Sequence, residues 1–217
     1  MERFTPKWQG KPWLDDIHAL HVYLLPTPGV DDALLSLVHA CRPILLEHRI
    51  DPLAGPGKGD AGTLHITVDM DASMPSAQAS PEDIRLLTEA LHTELNDTAP
   101  FDLELGPPIG NVAGAVLDVW PEDEFLAVQR RVRTAIRKTR GQSALQHNGG
   151  RGHMTIGSAY AARSSDELNT RLRDLTPRRA TMRVHTVFLL DVWHAIAPDT
   201  GGWRIDWRPV AEIPLVP

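Results

Sequence analysis

The sequence predicts a mixed α/β or α+β domain of two similar lobes, on three observations. Strand-like and helix-like segments alternate along the chain. The order strand, helix, loop, His-x-Thr strand, helix, strand occurs twice, which reads as an internal duplication. No low-complexity linker separates the copies, and Gly106 to Gly110 is a tight connection, so one compact unit is expected.

The elements follow in order. Leu20 to Leu25 alternates as a strand and is closed by Pro26 and Pro28. Asp31 or Asp32 caps a helix whose stripe is Leu34, Leu37, Cys41 and Leu45, with a kink or early end expected at Pro43. A loop from Asp51 to Gly62 leads to the strand Thr63 to Val68. Ser80 caps the next helix, with Pro81 at its first position and Ile84, Leu87, Leu91 and Leu95 as its stripe. Phe101 to Leu105 is a strand ending at Gly106-Pro107-Pro108. The second copy opens with a strand from Val112 to Trp120. A helix beginning at Pro121-Glu122 buries Phe125, Val128, Val132 and Ile136. After a Gly-containing loop, Gly141 to Gly152, comes the strand His153 to Ile156. Ser164 or Ser165 caps a helix with Leu168, Leu172 and Leu175, and strands at Thr181 to Asp191 and Trp203 to Trp207 close the chain. Residues 1–19 form an N-terminal extension and residues 20–217 one domain.

Composition narrows the function classes. The 217 residues are 42% hydrophobic and 23% charged, ordinary values for a globular protein. A net charge of -6 argues against broad, non-specific nucleic-acid binding, though a local basic cleft is compatible with it. The single cysteine, Cys41, allows no intrachain disulfide and fits a reducing cytoplasm. No signal peptide or membrane-spanning run is read, and a monomer is expected.

The chemistry resides in two short runs, His65-Ile66-Thr67-Val68 and His153-Met154-Thr155-Ile156. In a strand, residues i and i+2 point the same way, so each run presents an imidazole beside a hydroxyl. Facing each other across a cleft, two imidazoles near neutrality serve as acid and base. Two hydroxyls donate to non-bridging phosphate oxygens. Such a site hydrolyses a cyclic phosphate without a metal.

These two runs resemble the paired signature motifs of the two-histidine phosphoesterase superfamily, and within it the chain is most similar to 2′-5′ RNA ligase-like proteins. The opening strand ending in Pro26 fits the same family. The resemblance implies an α+β, bilobal fold with a pseudo-twofold axis and a central cleft. It implies His65 and His153 as acid and base, with Thr67 and Thr155 on the phosphate. It also implies substrates such as 2′,3′-cyclic phosphates or 2′-5′ linkages of RNA or small nucleotides, with no metal or other cofactor. Where the RNA ligase subgroup carries Arg five residues after the second motif histidine, this chain has Ser158. Arg151 or Arg163 would supply that charge. The departure bears on RNA ligation more than on phosphoester chemistry. Ligation and non-catalytic nucleotide sensing stand as alternatives.

Other residues have plainer roles set beside the functional ones. Tyr23, Trp120, Trp193 and Trp207 are candidates for stacking a base, with Tyr23 first and core packing expected for most. Lys58 lies in a Gly-rich loop without phosphate-loop spacing, so a mobile loop at the cleft mouth is expected. The basic run from Arg130 to Arg140 reads as a solvated helix face with cations near its C-terminus. His147 with His153 has poor metal-ligand spacing.

Overall fold

The computed structural model describes residues 1–14, 17–55, 59–145 and 150–216. The first elements are two short strands, β1 (Lys7–Trp8) and β2 (Lys11–Pro12), paired with each other. The first copy of the duplicated order is β3 (His18–Leu24), α1 (Asp32–Glu47), β4 (Ile50–Pro52), β5 (Ile66–Met70), α2 (Pro81–Leu95) and β6 (Phe101–Gly110). The second is β7 (Gly114–Trp120), α3 (Glu122–Arg140), β8 (His153–Ala159), α4 (Asp166–Arg173), β9 (Ala180–Val184) and β10 (Thr186–Ile196), followed by β11 (Trp203–Pro214). Among the described residues no helix is long and apolar enough to cross a membrane.

Among the described residues nine strands form one sheet in the order β11-β10-β3-β5-β8-β7-β6-β9, with β4 pairing β8, and every pairing is antiparallel. This makes the class α+β. The order is symmetric about the seam between β5 and β8. There β3 corresponds to β7, and β10 to β6. The strand that follows the second helix of the first copy, β6, lies beside β7 in the other half. Its counterpart β10 lies beside β3. Each copy thus lends a strand to the other lobe, which ties the lobes into one sheet.

Alternation explains which face is which. Leu20, Val22 and Leu24 of β3 point into the main core with the helix stripes. Ala19, His21 and Tyr23 point to the opposite face. The helices cover the first face, and the second is left for the cleft.

The local signals explain most element ends. Ser80 and Asp83 form a reciprocal capping box, with Asp83 N–H donating to Ser80 Oγ at 3.1 Å and Ser80 N–H to Asp83 Oδ2 at 2.9 Å. Asp31 does stand at the start of α1, but its buried carboxylate accepts from the backbone N–H groups of Thr27 and Arg183, both at 2.7 Å. It fastens the helix to β9 instead of capping it. At α4 the oxygen comes from Ser164, which accepts from Asp166 N–H at 3.2 Å.

Several expected boundaries shift. α1 runs through Pro43 without ending, because Pro43 is not buried and the leucines and isoleucine on both sides hold the helix down. β6 continues past Gly106-Pro107-Pro108 to Gly110 with a register shift between Leu105 and Pro108. Gly106 is needed there: its φ is 125°, and a Cβ would meet the Arg178 carbonyl oxygen at 2.2 Å. The segment expected as one strand from Thr181 to Asp191 is two, broken at His185. β4, read from sequence as loop, is a three-residue piece beside β8 where Pro52 is tolerated. The segment before β3 is packed down: Trp8 and Trp13 are buried against Ala19 and Ala72.

Candidate active site

The two central strands meet at a single pair, Ile66 opposite Met154. Both side chains are fully buried on the helix side. Their neighbours therefore point into the cleft, with His65 across from Thr155 and Thr67 across from His153. The two histidines are then diagonal neighbours, with backbones about 7–8 Å apart. The duplication and the i, i+2 spacing have brought both motifs to one place.

Both imidazoles are held the same way. His65 Nδ1 lies 2.8 Å from the Thr63 carbonyl oxygen, and His153 Nδ1 lies 3.1 Å from that of Arg151. A carbonyl only accepts, so each Nδ1 carries the proton and each Nε2 is left free. The fixed tautomers leave two equivalent nitrogens for proton transfer.

Their surroundings differ. His65 is 8% exposed, stacked on Tyr23 at 4.2 Å and 18°, with the edge of Trp207 at 5.6 Å. Burial pulls its pKa down to about 4, helped by His153 and opposed by the Thr63 carbonyl. His153 is exposed. Behind His65 lie two more imidazoles. Burial, then His65, pulls His194 down to about 3, and burial, His194 and His65 together hold His21 well below 6.5. One wall of the site is therefore built of neutral imidazoles and aromatic rings.

Tyr23 is 1% exposed, and its hydroxyl is 2.8 Å from His21 Nδ1. One face is taken by His65 and an edge contact comes from Trp207 at 5.7 Å. A base cannot stack on it. Tyr23 instead backs His65, and the expectation that it is the first base platform is corrected. Arg151 is exposed, and its Nε donates to Glu122 Oε1 at 2.6 Å. Its carbonyl orients His153. Arg163 lies outside the cleft wall.

A cavity of about 1200 Å³ runs from the motifs along the β3, β10 and β11 side, and Thr67, Thr155 and Ser158 line it. Among the described residues its cations are Lys7, Arg42 and Arg204. Arg204 is shared between Asp51 at 3.3 Å and Asp199 at 2.7 Å. Sequence reasoning missed His21, His194, Arg42 and Arg204. His21 was within reach, since it alternates with Tyr23 on the cleft face; the others depend on strand pairing across the chain.

The basic run of α3 is largely ion-paired. Arg131 pairs with Asp97, Arg133 with Asp69, Lys138 with Glu94, and Arg140 with Asp71 and Asp83. Arg140 and Asp71 are almost completely buried, so the solvated-face expectation fails there. Lys58 and His147 lie outside the described residues. Among the described residues no cluster of three or more His, Cys, Asp or Glu is placed to hold a metal ion.

Comparison with known proteins agrees with this fold. Curated proteins give no match. Solved structures share the fold. The Thermus thermophilus protein TT0787 has a TM-score of 0.63 at 15% identity, covering 91% of this chain and 97% of that one. E. coli LigT in its apo form scores 0.62 at 13% identity, covering 93% and 99%. E. coli LigT complexed with 3′-AMP scores 0.59 at 14% identity, covering 93% and 100%. A family model matches residues 30–192, a span that contains both His-x-Thr runs, and by that match the chain belongs to the 2′-5′ RNA ligase superfamily.

Proposed function

We propose that the protein is a metal-independent phosphodiesterase acting on a 2′,3′-cyclic or 2′-5′ phosphodiester of RNA or a small nucleotide. One observation carries the reading: two crossed His-x-Thr pairs, each with its imidazole fixed through Nδ1 and its Nε2 free. Burial keeps His65 neutral, so it enters the reaction as the base. Its Nε2 takes a proton from water, whose oxygen attacks phosphorus in line. The bond to the ribose oxygen breaks, and His153 gives that oxygen a proton. Thr67 and Thr155 donate to the non-bridging oxygens as charge gathers there. The nucleotide-bound LigT structures add that relatives of this fold accept nucleotides.

Product analysis on a panel of 2′,3′-cyclic phosphates and 2′-5′ dinucleotides tests the reading. A monoester product with unchanged rate in EDTA is the expected result. Activity lost to EDTA and restored by a divalent cation would mean that the chemistry is misassigned. Tight nucleotide binding with no turnover would favour a sensor, and joined products a ligase.

The backing of His65 by Tyr23 has its own consequence. A base works only when unprotonated, so kcat/KM falls as pH drops through the His65 pKa, which lies at about 4. Tyr23→Leu admits water to the imidazole and moves that acid limb upward, toward the ordinary value. Tyr23→Phe keeps the stack and moves it less. A limb unmoved in Tyr23→Leu would show that the stack does not control the base.

A further inference from the structure

The cavity lies on only one side of the phosphate position. Its walls come from the N-terminal segment, α1 and strands β3, β4, β5, β8, β10 and β11, with nothing from β6, β7 or β9. Among the described residues the His153 side is open, and one residue there stands out. Asp118 of β7 is directly across from His153. Opposed residues of an antiparallel pair share a face, and so do residues i and i+2, so Trp120 is on the face of His153. Leu117 and Val119, pointing the other way, are buried in the core. Strand spacing and rise place the Trp120 backbone about 8 Å from that of His153.

Trp120 is 60% exposed, whereas Trp8 and Trp13 are buried at 6% and 3%. On the same face, β6 places Ile109, 41% exposed, across from Val116. Glu104 lies across from Trp120 and is paired with Arg179, and Asp102 is paired with Arg183. With Asp118 added, the face has a slight negative excess. It would repel a second phosphate but suits a neutral, flat group with amino hydrogens to donate.

We infer that Trp120 is the stacking platform for a nucleobase on the His153 side of the scissile phosphate. The preferred substrate is then a phosphodiester with a nucleoside on each side, such as a 2′-5′-linked dinucleotide, with the retained nucleoside in the cavity and the departing one on Trp120. This rests on the phosphodiesterase reading above and narrows its substrate class. A base presents a π-face whatever its identity, so the platform favours a second nucleoside without selecting its sequence.

The test compares a 2′-5′-linked diadenylate with adenosine 2′,3′-cyclic phosphate in the wild type, Trp120→Ala and Trp120→Phe. In Trp120→Ala the ratio of their kcat/KM values, dinucleotide over cyclic mononucleotide, should fall roughly 10- to 100-fold, the worth of one stacked base. Trp120→Phe should recover most of it. An unchanged ratio overturns the inference. So does a wild-type dimer that Trp120→Ala turns into a monomer, because the indole would then belong to a contact between copies. Calorimetric affinities for the same two compounds keep the two proposals separable. If the wild type turns over neither, the phosphodiesterase reading fails, and a Kd for the dinucleotide raised by Trp120→Ala still supports the platform while an unchanged Kd removes it.

Discussion

His65→Ala and His153→Ala should each lower turnover by about 10²- to 10⁴-fold, the usual worth of a positioned acid or base. Nucleotide affinity should survive better than rate, since the cavity wall and both threonines remain in place. The two variants should differ in their response to pH. His65→Ala removes the group whose titration shapes the acid limb, so its residual activity loses that limb; His153→Ala keeps it. Glutamine at either position separates geometry from proton transfer, because its amide can hydrogen-bond but cannot act as acid or base near neutrality. The double variant should be little worse than the worse single one, since both groups serve one concerted displacement. Steady-state rates on a cyclic phosphate decide the matter. Near wild-type rates in both alanine variants, with a distant substitution abolishing activity, would place the chemistry elsewhere.

The face carrying His65, Thr67, His153 and Thr155 was legible because strand alternation is a local rule: Ile66 and Met154 had to be core, so their neighbours had to be cleft. The pairing of the two motifs was legible only through the duplication. What escaped was long-range. Nothing within Phe101–Gly110 or Thr186–Ile196 says that β6 and β10 exchange lobes, because strand partners are not written in either segment. The aromatic candidates show the same limit. Tyr23 and Trp120 both point to the cleft face of their strands. Tyr23 is buried because His65 stacks on it and Trp207 arrives from the far end of the chain against it, while among the described residues the corresponding part of β7 has no such cover. Arg151 was chosen for its charge; the ion pair of its guanidinium with Glu122 at the start of α3, and the hold of its carbonyl on His153, both depend on how the chain folds.

The threonines should matter less than the histidines but clearly. Thr67→Val and Thr155→Val keep the branched shape and the strand preference while removing the hydroxyl. Each should reduce kcat/KM by an amount on the order of 2 to 3 kcal/mol, roughly 30- to 150-fold, if each loses one donor to the charge developing on phosphate. Serine at either position should retain most of the rate, since the donor remains. The two positions are not equivalent. Thr155 is half-buried and stands across from the enclosed His65, whereas Thr67 is exposed and stands across from His153. A hydrogen bond to a charged oxygen is worth more where water is excluded, and water can replace a lost donor more readily at an open position. Thr155→Val should therefore be the more damaging of the pair. The losses should not simply add, because both hydroxyls hold one phosphate and removing either lets it shift against the other. The measurement is kcat/KM on one cyclic phosphate for the two valine and two serine variants. Serine variants as impaired as valine would show that the methyl group, not the hydroxyl, is what these positions need, and the phosphate role would be withdrawn.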